Sequence, residues 1–64
     1  MEQDAAFINE KQLAGYLGIS VHALRRWRFE GRGPQFFRLE GRLVRYRQED
    51  VESWLASQTV GGIA

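Results

Sequence analysis

Three arginines crowd into the segment "ALRRWR", and arginine is the side chain best suited to binding phosphate and guanine. Arg25, Arg26 and Arg28 fall within four positions, with Leu24 and Trp27 interleaved among them. A guanidinium group offers a planar fork of N–H donors that matches a phosphate or the acceptor edge of guanine. Like charges this close repel one another, so the segment predicts an external anionic partner.

The charge is distributed unevenly along the chain, although the net charge is only +1. Between Arg25 and Arg47 there are eight arginines and two acids, Glu30 and Glu40, a local balance of +6 (8 − 2), and the flanks hold the remaining six acids and the single lysine. A basic stripe is the electrostatic footprint of a protein that binds a phosphate backbone. The alternative is a solvated surface of mixed charge.

Composition narrows the remaining classes of function. The 64 residues predict one small domain, and the absence of cysteine excludes a disulfide framework and a thiolate metal site. His22 is the only histidine, so it has no obvious partner for holding a metal. No apolar run approaches the roughly 20 residues that a membrane span needs. We expect a soluble intracellular domain without metal or cofactor, located in the cytoplasm.

The first half of the chain predicts two helices joined by a short turn. Asn9 is a plausible N-cap for a helix over roughly 10–17, which Gly18 would terminate. Ser20 would cap a second helix over roughly 21–30. A helix, a short turn containing glycine and a second helix are the signature of a helix-turn-helix. Helical periodicity turns Leu24 and Trp27 inward, and it directs the remaining polar and aromatic positions outward: His22, Arg25, Arg26 and Phe29.

The second half predicts a β-hairpin and a closing helix. Polar and apolar residues alternate across Gln35–Arg47, on both sides of the turn Glu40-Gly41-Arg42. We expect one face of the hairpin to pack on the helices and the other to be basic. The expected packing residues are Phe37, Leu39, Val44 and Tyr46, and the expected basic residues are Arg38, Arg45 and Arg47. A third helix is predicted to begin at Arg47 or Gln48, and Val51, Trp54 and Leu55 form its core face.

This order of elements is the outline of a winged helix domain, and the motifs resemble a known family. "LAGYLGIS", "LRRW", "GRGP", "RYR" and "DVESWL" occur in the order found in the excisionase/AlpA-like helix-turn-helix family of phage and mobile-element regulators, distant relatives of the DNA-binding half of MerR-type regulators. The predicted fold class is mainly α with a small β-hairpin, namely a helix-turn-helix, a two-stranded wing and a closing helix. The expected organisation is a flexible N-terminus over 1–6, the domain over 7–57 and a flexible tail over 58–64.

The resemblance implies sequence-specific binding of double-stranded DNA and no enzymatic activity. Members act as excisionases that assist an integrase, or as small transcriptional regulators. The expected partners are therefore duplex DNA, further copies of the chain on adjacent sites, and an integrase, with neither a membrane nor a small-molecule substrate. The alternative from another class is a protein-interaction module that docks its basic face on an acidic partner.

Seven residues are predicted to contact DNA. Arg25 and Arg26 are the strongest candidates, one for guanine and the other for phosphate. Arg42 is expected to reach the minor groove or backbone from the tip of the wing. The remaining candidates lie beside these three in the predicted fold: Ser20, His22, Arg32 and Arg45.

Four other residues are expected to stabilise the fold rather than to contact DNA. Arg28 is expected to pair with an acid of the third helix or to pack its stem on Trp27. Phe29 is expected to pack under the hairpin, with contact to a thymine methyl group as the alternative. Trp27 and Trp54 are expected in the core rather than on a base-stacking surface. No catalytic residues are predicted, because no combination of nucleophile, base and pocket is evident.

Overall fold

Three short helices and a three-stranded antiparallel sheet make up the computed structural model, which describes residues 7–59. In chain order the elements are β1 (Phe7–Asn9), α1 (Glu10–Leu17), α2 (Val21–Phe29), β2 (Phe37–Leu39), β3 (Leu43–Arg47) and α3 (Gln48–Ala56). The expected flexible N-terminus, 1–6, and residues 60–64 of the expected tail lie outside the described residues.

Local hydrogen bonding fixes both ends of α1 where the sequence predicts them. The Asn9 side chain accepts from the Gln12 amide at 2.7 Å, and the Gln12 side chain accepts from the Asn9 amide at 2.8 Å, which completes a capping box. Gly18 ends the helix with a φ of 73°, a left-handed conformation that glycine adopts without a steric penalty.

The turn into α2 is equally short. The Ser20 hydroxyl accepts from the Ala23 amide at 3.1 Å and caps the helix, as predicted. The helix ends at Phe29, one residue earlier than expected, and Glu30 is its C-cap. Only three residues, Gly18 to Ser20, separate α1 from α2, and this short connection confirms the predicted helix-turn-helix.

The sheet contains one strand that sequence analysis missed. Its order is β1-β3-β2, so that β3 lies in the centre. Phe7 pairs with Arg47 and Ile8 with Tyr46, and this pairing joins the start of the domain to the wing. The missed strand is only three residues long, too short to show a pattern of alternating polar and apolar residues.

The register of the hairpin differs from the prediction. Leu39 pairs with Leu43, and Phe37 with Arg45, so both predicted packing residues of β2 share the face of Arg45 and not that of Tyr46. Leu39 is 44% exposed accordingly. The expectation that Phe37 and Leu39 pack on the helices was therefore wrong.

The same register also places Arg38 on a different face of the sheet from the one predicted. Arg38 pairs with Val44 and lies on the core-facing side of the sheet, where its guanidinium sits 5.5 Å from the Phe36 ring centroid. The prediction that Arg38 shares a face with Arg45 and Arg47 was wrong, because a shift of one position reverses every side chain of a strand.

A small core joins the helices to the central strand. Its buried residues are Leu13, Ala14, Leu24, Tyr46 and Val51. Trp27 packs against this core as predicted, and Trp54 lies against Trp27 with the ring centroids 5.6 Å apart. The prediction that Leu55 belongs to the core face of α3 was wrong, because its side chain is 37% exposed.

The predicted fold class is confirmed, since a helix-turn-helix is followed by a hairpin wing and a closing helix. Helix α1 contacts α2, while α1 and α3 both contact β3. As a result, α2 is left with one side facing away from the core. None of the helices in residues 7–59 is long and apolar enough to cross a lipid bilayer.

Candidate nucleic-acid interface

Helix α2 presents an outward ridge formed by four exposed residues. His22, Arg25, Arg26 and Phe29 are all exposed, whereas Leu24 on the opposite side is fully buried. The helix is anchored by this one apolar side, so the cations of the ridge are directed outward together. An exposed second helix of a helix-turn-helix is the element that enters the major groove of DNA.

An open groove of about 440 Å³ lies on one flank of this ridge, between α2, the start of α1 and the hairpin. We call it the wing groove. Six of its lining residues are cationic and one is acidic, Glu10. The cations are Lys11, Arg25, Arg28, Arg38, Arg42 and Arg45.

A second open depression of about 430 Å³ lies on the other flank of α2. We call it the cap-side depression because Ser20, the N-cap of α2, lies at its edge. Its lining also includes His22, Arg26 and Arg32.

The seven predicted contact residues all lie in one of these two depressions. Arg25, Arg42 and Arg45 line the wing groove. The other four line the cap-side depression, and they are Ser20, His22, Arg26 and Arg32. Residues that are up to 25 positions apart in sequence, from Ser20 to Arg45, thus border the two sides of one helix.

Glu10 organises the basic residues of the wing groove. One of its oxygens accepts from Arg25 Nη2 at 2.7 Å, and the other accepts from Arg28 Nη2 at 3.0 Å. The hydrogen bond from Arg25 holds the pKa of the Glu10 carboxyl below its ordinary value of 4.5, with Arg28 adding to the effect and partial burial opposing it. Arg25 keeps 54% of its side chain exposed.

Arg28 is a structural residue, although not through the partner that the sequence predicted. Its Nη1 donates to the Tyr46 hydroxyl at 3.0 Å, and its guanidinium lies 5.7 Å from the Phe36 ring centroid. Its acidic partner is Glu10 of α1 and not an acid of α3. With 13% of its side chain exposed, Arg28 ties α2 to α1 and the central strand.

Two further arginines are paired with carboxylates of the chain itself. Arg32 Nη1 lies 2.7 Å from Glu30 Oε1, and both groups are exposed. Arg47 Nε lies 3.2 Å from Asp50 Oδ2 and 3.3 Å from Glu49 Oε2. The hydrogen bonds that Arg47 donates to the Asp50 carboxylate raise the pKa of Arg47 above its already high ordinary value.

Four of the eight arginines have no carboxylate partner within residues 7–59, and these are Arg26, Arg38, Arg42 and Arg45. Arg45 donates to the neighbouring Val44 carbonyl at 2.8 Å. Arg42 lies in the hairpin turn, where its amide donates to the Leu39 carbonyl at 2.9 Å. Because Arg26 is on one flank of α2 and the other three are on the other, a polyanion seated on the ridge would meet positive charge from both sides.

Phe29 corrects a prediction. It is 92% exposed and does not pack under the hairpin. Phe29 is the last residue of α2 and lies on the outward side of that helix, as its periodicity predicted, but the hairpin does not cover it.

Lys11 and Arg38 belong to the wing groove and were not among the predicted contact residues. Arg38 could have been identified from a correct hairpin register, which brings it beside Val44. Lys11 carries no signal beyond its charge, because its proximity to the wing depends on how α1 and the hairpin pack.

Comparison with known proteins agrees with this geometry. A family model described as "Helix-turn-helix domain" matches residues 8–59, which is most of the chain. No curated protein matches. The matched range runs from β1 to just beyond α3, so it includes every element that borders the two depressions. The chain therefore belongs to the excisionase/AlpA-like helix-turn-helix family, a family of DNA-binding domains.

Proposed function

We propose that this protein binds double-stranded DNA sequence-specifically, by placing α2 in the major groove and the hairpin turn against the neighbouring backbone or minor groove. The observation that supports this most directly is the exposed ridge of α2, which is bordered on both flanks by cations. In the proposed complex Arg26 lies closest to the bases, because it is exposed and has no carboxylate partner in the described part of the chain.

The hairpin supplies the second contact. Arg42 lies in the turn, and Arg38 and Arg45 lie on the strands beside it. Their charges would neutralise phosphates on the strand next to the groove that α2 occupies.

One module of this size offers a limited contact area on DNA. We therefore propose that tight binding uses several copies on adjacent sites or a second protein such as an integrase. The biological role that fits is that of an excisionase or small transcriptional regulator of a phage or mobile element, acting in the cytoplasm at the nucleoid.

A second candidate function is protein docking, and one observation favours it. The outward face of the sheet carries Phe7, Leu39 and Leu43, which are 49%, 44% and 46% exposed. Arg45 and Arg47 lie on the same face. An apolar surface flanked by cations would suit an acidic protein partner, and this role is compatible with DNA binding through α2.

The decisive experiment is binding to duplex DNA at physiological salt. Selection from random duplexes followed by sequencing defines the site, and fluorescence anisotropy then measures the affinity. Arg26→Ala is expected to weaken binding to the selected duplex by about tenfold or more, as for loss of one good base contact, with an unchanged melting temperature.

Arg47→Ala is the matched control. It removes the same charge, but from a side chain that is paired with Asp50 and Glu49. The proposal predicts near-normal affinity for this variant. Equal losses for both variants, or no duplex binding by the native chain, would contradict the proposed function.

A further inference from the structure

Phe29 is the most exposed large apolar side chain in residues 7–59, at 92%. It is not used by the fold, since the core of the domain is formed without it. It also lines neither the wing groove nor the cap-side depression. A single exposed apolar side chain is common on protein surfaces, but Phe29 is the last residue of α2 and lies on the ridge, where a partner of Arg25 and Arg26 would cover it.

The position of Phe29 on α2 restricts which partner can cover it. With 3.6 residues per turn, Phe29 lies about 40° around the helix from Arg25 and about 60° from Arg26, on the opposite side. It is also one turn further along the helix than both. The ring therefore lies near the midline of the ridge, with a guanidinium group on each side.

A partner that covers Phe29 must accept those two cations at the same time. Duplex DNA satisfies both requirements, because phosphates border a major groove whose floor carries one kind of apolar group, the C5 methyl of thymine. A purely apolar protein surface or the interior of a membrane would have to desolvate Arg26, which has no carboxylate partner within residues 7–59, without compensation.

We propose that Phe29 is a specificity-determining residue that packs on the C5 methyl group of thymine in the major groove. This inference rests on the proposed function. It adds to it the recognition of thymine by apolar contact, beside the recognition of guanine and phosphate by the arginines.

The geometry also predicts where that thymine lies. Phe29 is four residues from Arg25, which corresponds to about 6 Å along the helix axis. Successive base pairs are about 3.4 Å apart. The thymine is therefore expected about two base pairs from the position that Arg25 approaches.

The test uses deoxyuridine, which lacks only the C5 methyl group. The probes are the duplex obtained by selection and matched duplexes in which each thymine in turn is replaced by deoxyuridine. The native chain is expected to bind one substituted duplex about fourfold more weakly, as for loss of one buried methyl contact. Phe29→Ala is expected to bind the thymine duplex more weakly by a similar factor and to be indifferent to the substitution.

Tyr16→Ala is the control for removal of an exposed aromatic ring. Tyr16 is 69% exposed, but it lies beside Val51 and Glu52 of α3 and not on the ridge. This variant should keep the native preference for thymine over deoxyuridine. Because Phe29 contributes nothing to the core, Phe29→Ala should also keep the native melting temperature.

The outcomes separate the two proposals. If the native chain binds the selected duplex but Phe29→Ala keeps the native thymine preference, or if no deoxyuridine substitution weakens native binding, the role of Phe29 is wrong while the proposed function stands. If the native chain binds no duplex, the proposed function fails as well.

Discussion

The salt dependence of DNA binding can be worked out from the ion pairs of the free protein. Each cation that neutralises a phosphate contributes about −0.9 to the slope of log K against log salt concentration. Arg26 is assigned to the bases, which leaves four cations without a carboxylate partner within the described residues: Lys11, Arg38, Arg42 and Arg45. Four phosphate contacts give a slope of about −3.6.

The internal ion pairs make this value differ from the one expected for the sequence alone. If six to eight arginines met phosphates, as the sequence alone suggests, the slope would be about −5 to −7. Arg25 and Arg28 share Glu10, however, and Arg32 and Arg47 have carboxylate partners of their own. Because a carboxylate already neutralises each of these four, they are expected to contribute less to the slope than the unpaired cations.

Fluorescence anisotropy with the selected duplex, between about 50 and 200 mM potassium chloride, measures the slope. Arg42→Ala should make it shallower by about 1, because one phosphate contact is lost. Arg47→Ala should leave it unchanged. A native slope of about −7 would show that the paired arginines contribute fully as well, and a slope near zero would refute the assignment of the groove cations to phosphates.

Three further predictions concern the scaffold. Gly33→Ala should destabilise the domain by about 1–2 kcal/mol in urea unfolding, because Gly33 has a φ of 88° and an added Cβ would lie 3.1 Å from Trp27 Cε3. Gly15→Ala is the control: its added Cβ would lie in open space within α1, so this variant should be more stable than the native chain by about 1 kcal/mol. Equal effects of the two substitutions would contradict the described position of Gly33 against Trp27. Trp27→Ala should lower the free energy of unfolding by about 3 kcal/mol, enough to unfold much of so small a domain, so that a native melting curve by circular dichroism would refute its packing role. Glu10→Gln should melt at a lower temperature than the native chain at pH 7, because the ionised Glu10 carboxylate stabilises the fold, as its lowered pKa indicates. The difference in melting temperature should shrink as the pH falls below 4.5 and the carboxylate becomes protonated. A difference that is constant with pH would contradict the role of the Glu10 charge.

Local signals predicted the helices well. Asn9, Ser20 and Gly18 each act through hydrogen bonds or backbone angles within a few residues, so their roles can be inferred from sequence alone. The ends of α1 and the start of α2 lie where these residues predict them.

Features that depend on tertiary packing could not be predicted in the same way. The short strand β1 exists because β3 offers it a partner, and its three residues carry little pattern of their own. The hairpin register was misjudged because Phe36 and Phe37 are adjacent, and either could have been the inward residue. The structure places Phe36 against the core and Phe37 on the outer face with Phe7, at a ring-centroid distance of 5.6 Å.

The grouping of the seven candidate residues around α2 was predicted, but the internal partners of the arginines were not. Charge and helical periodicity indicate that Arg25 and Arg26 face outward. They do not show that Arg25 and Arg28 converge on Glu10, which is fifteen positions before Arg25 in sequence. That convergence depends on the angle at which α1 and α2 pack.

The central claim is that the ridge of α2 and the hairpin form the DNA-binding surface, and chemical-shift mapping tests it most directly. Amide resonances of the ¹⁵N-labelled chain would be followed by NMR during titration with the selected duplex. The largest changes are expected in α2, from His22 to Phe29, and in the hairpin, from Arg38 to Arg45. Changes centred instead on the far side of α1 and α3, around Tyr16 and Glu52, or no changes at saturating duplex, would contradict the claim.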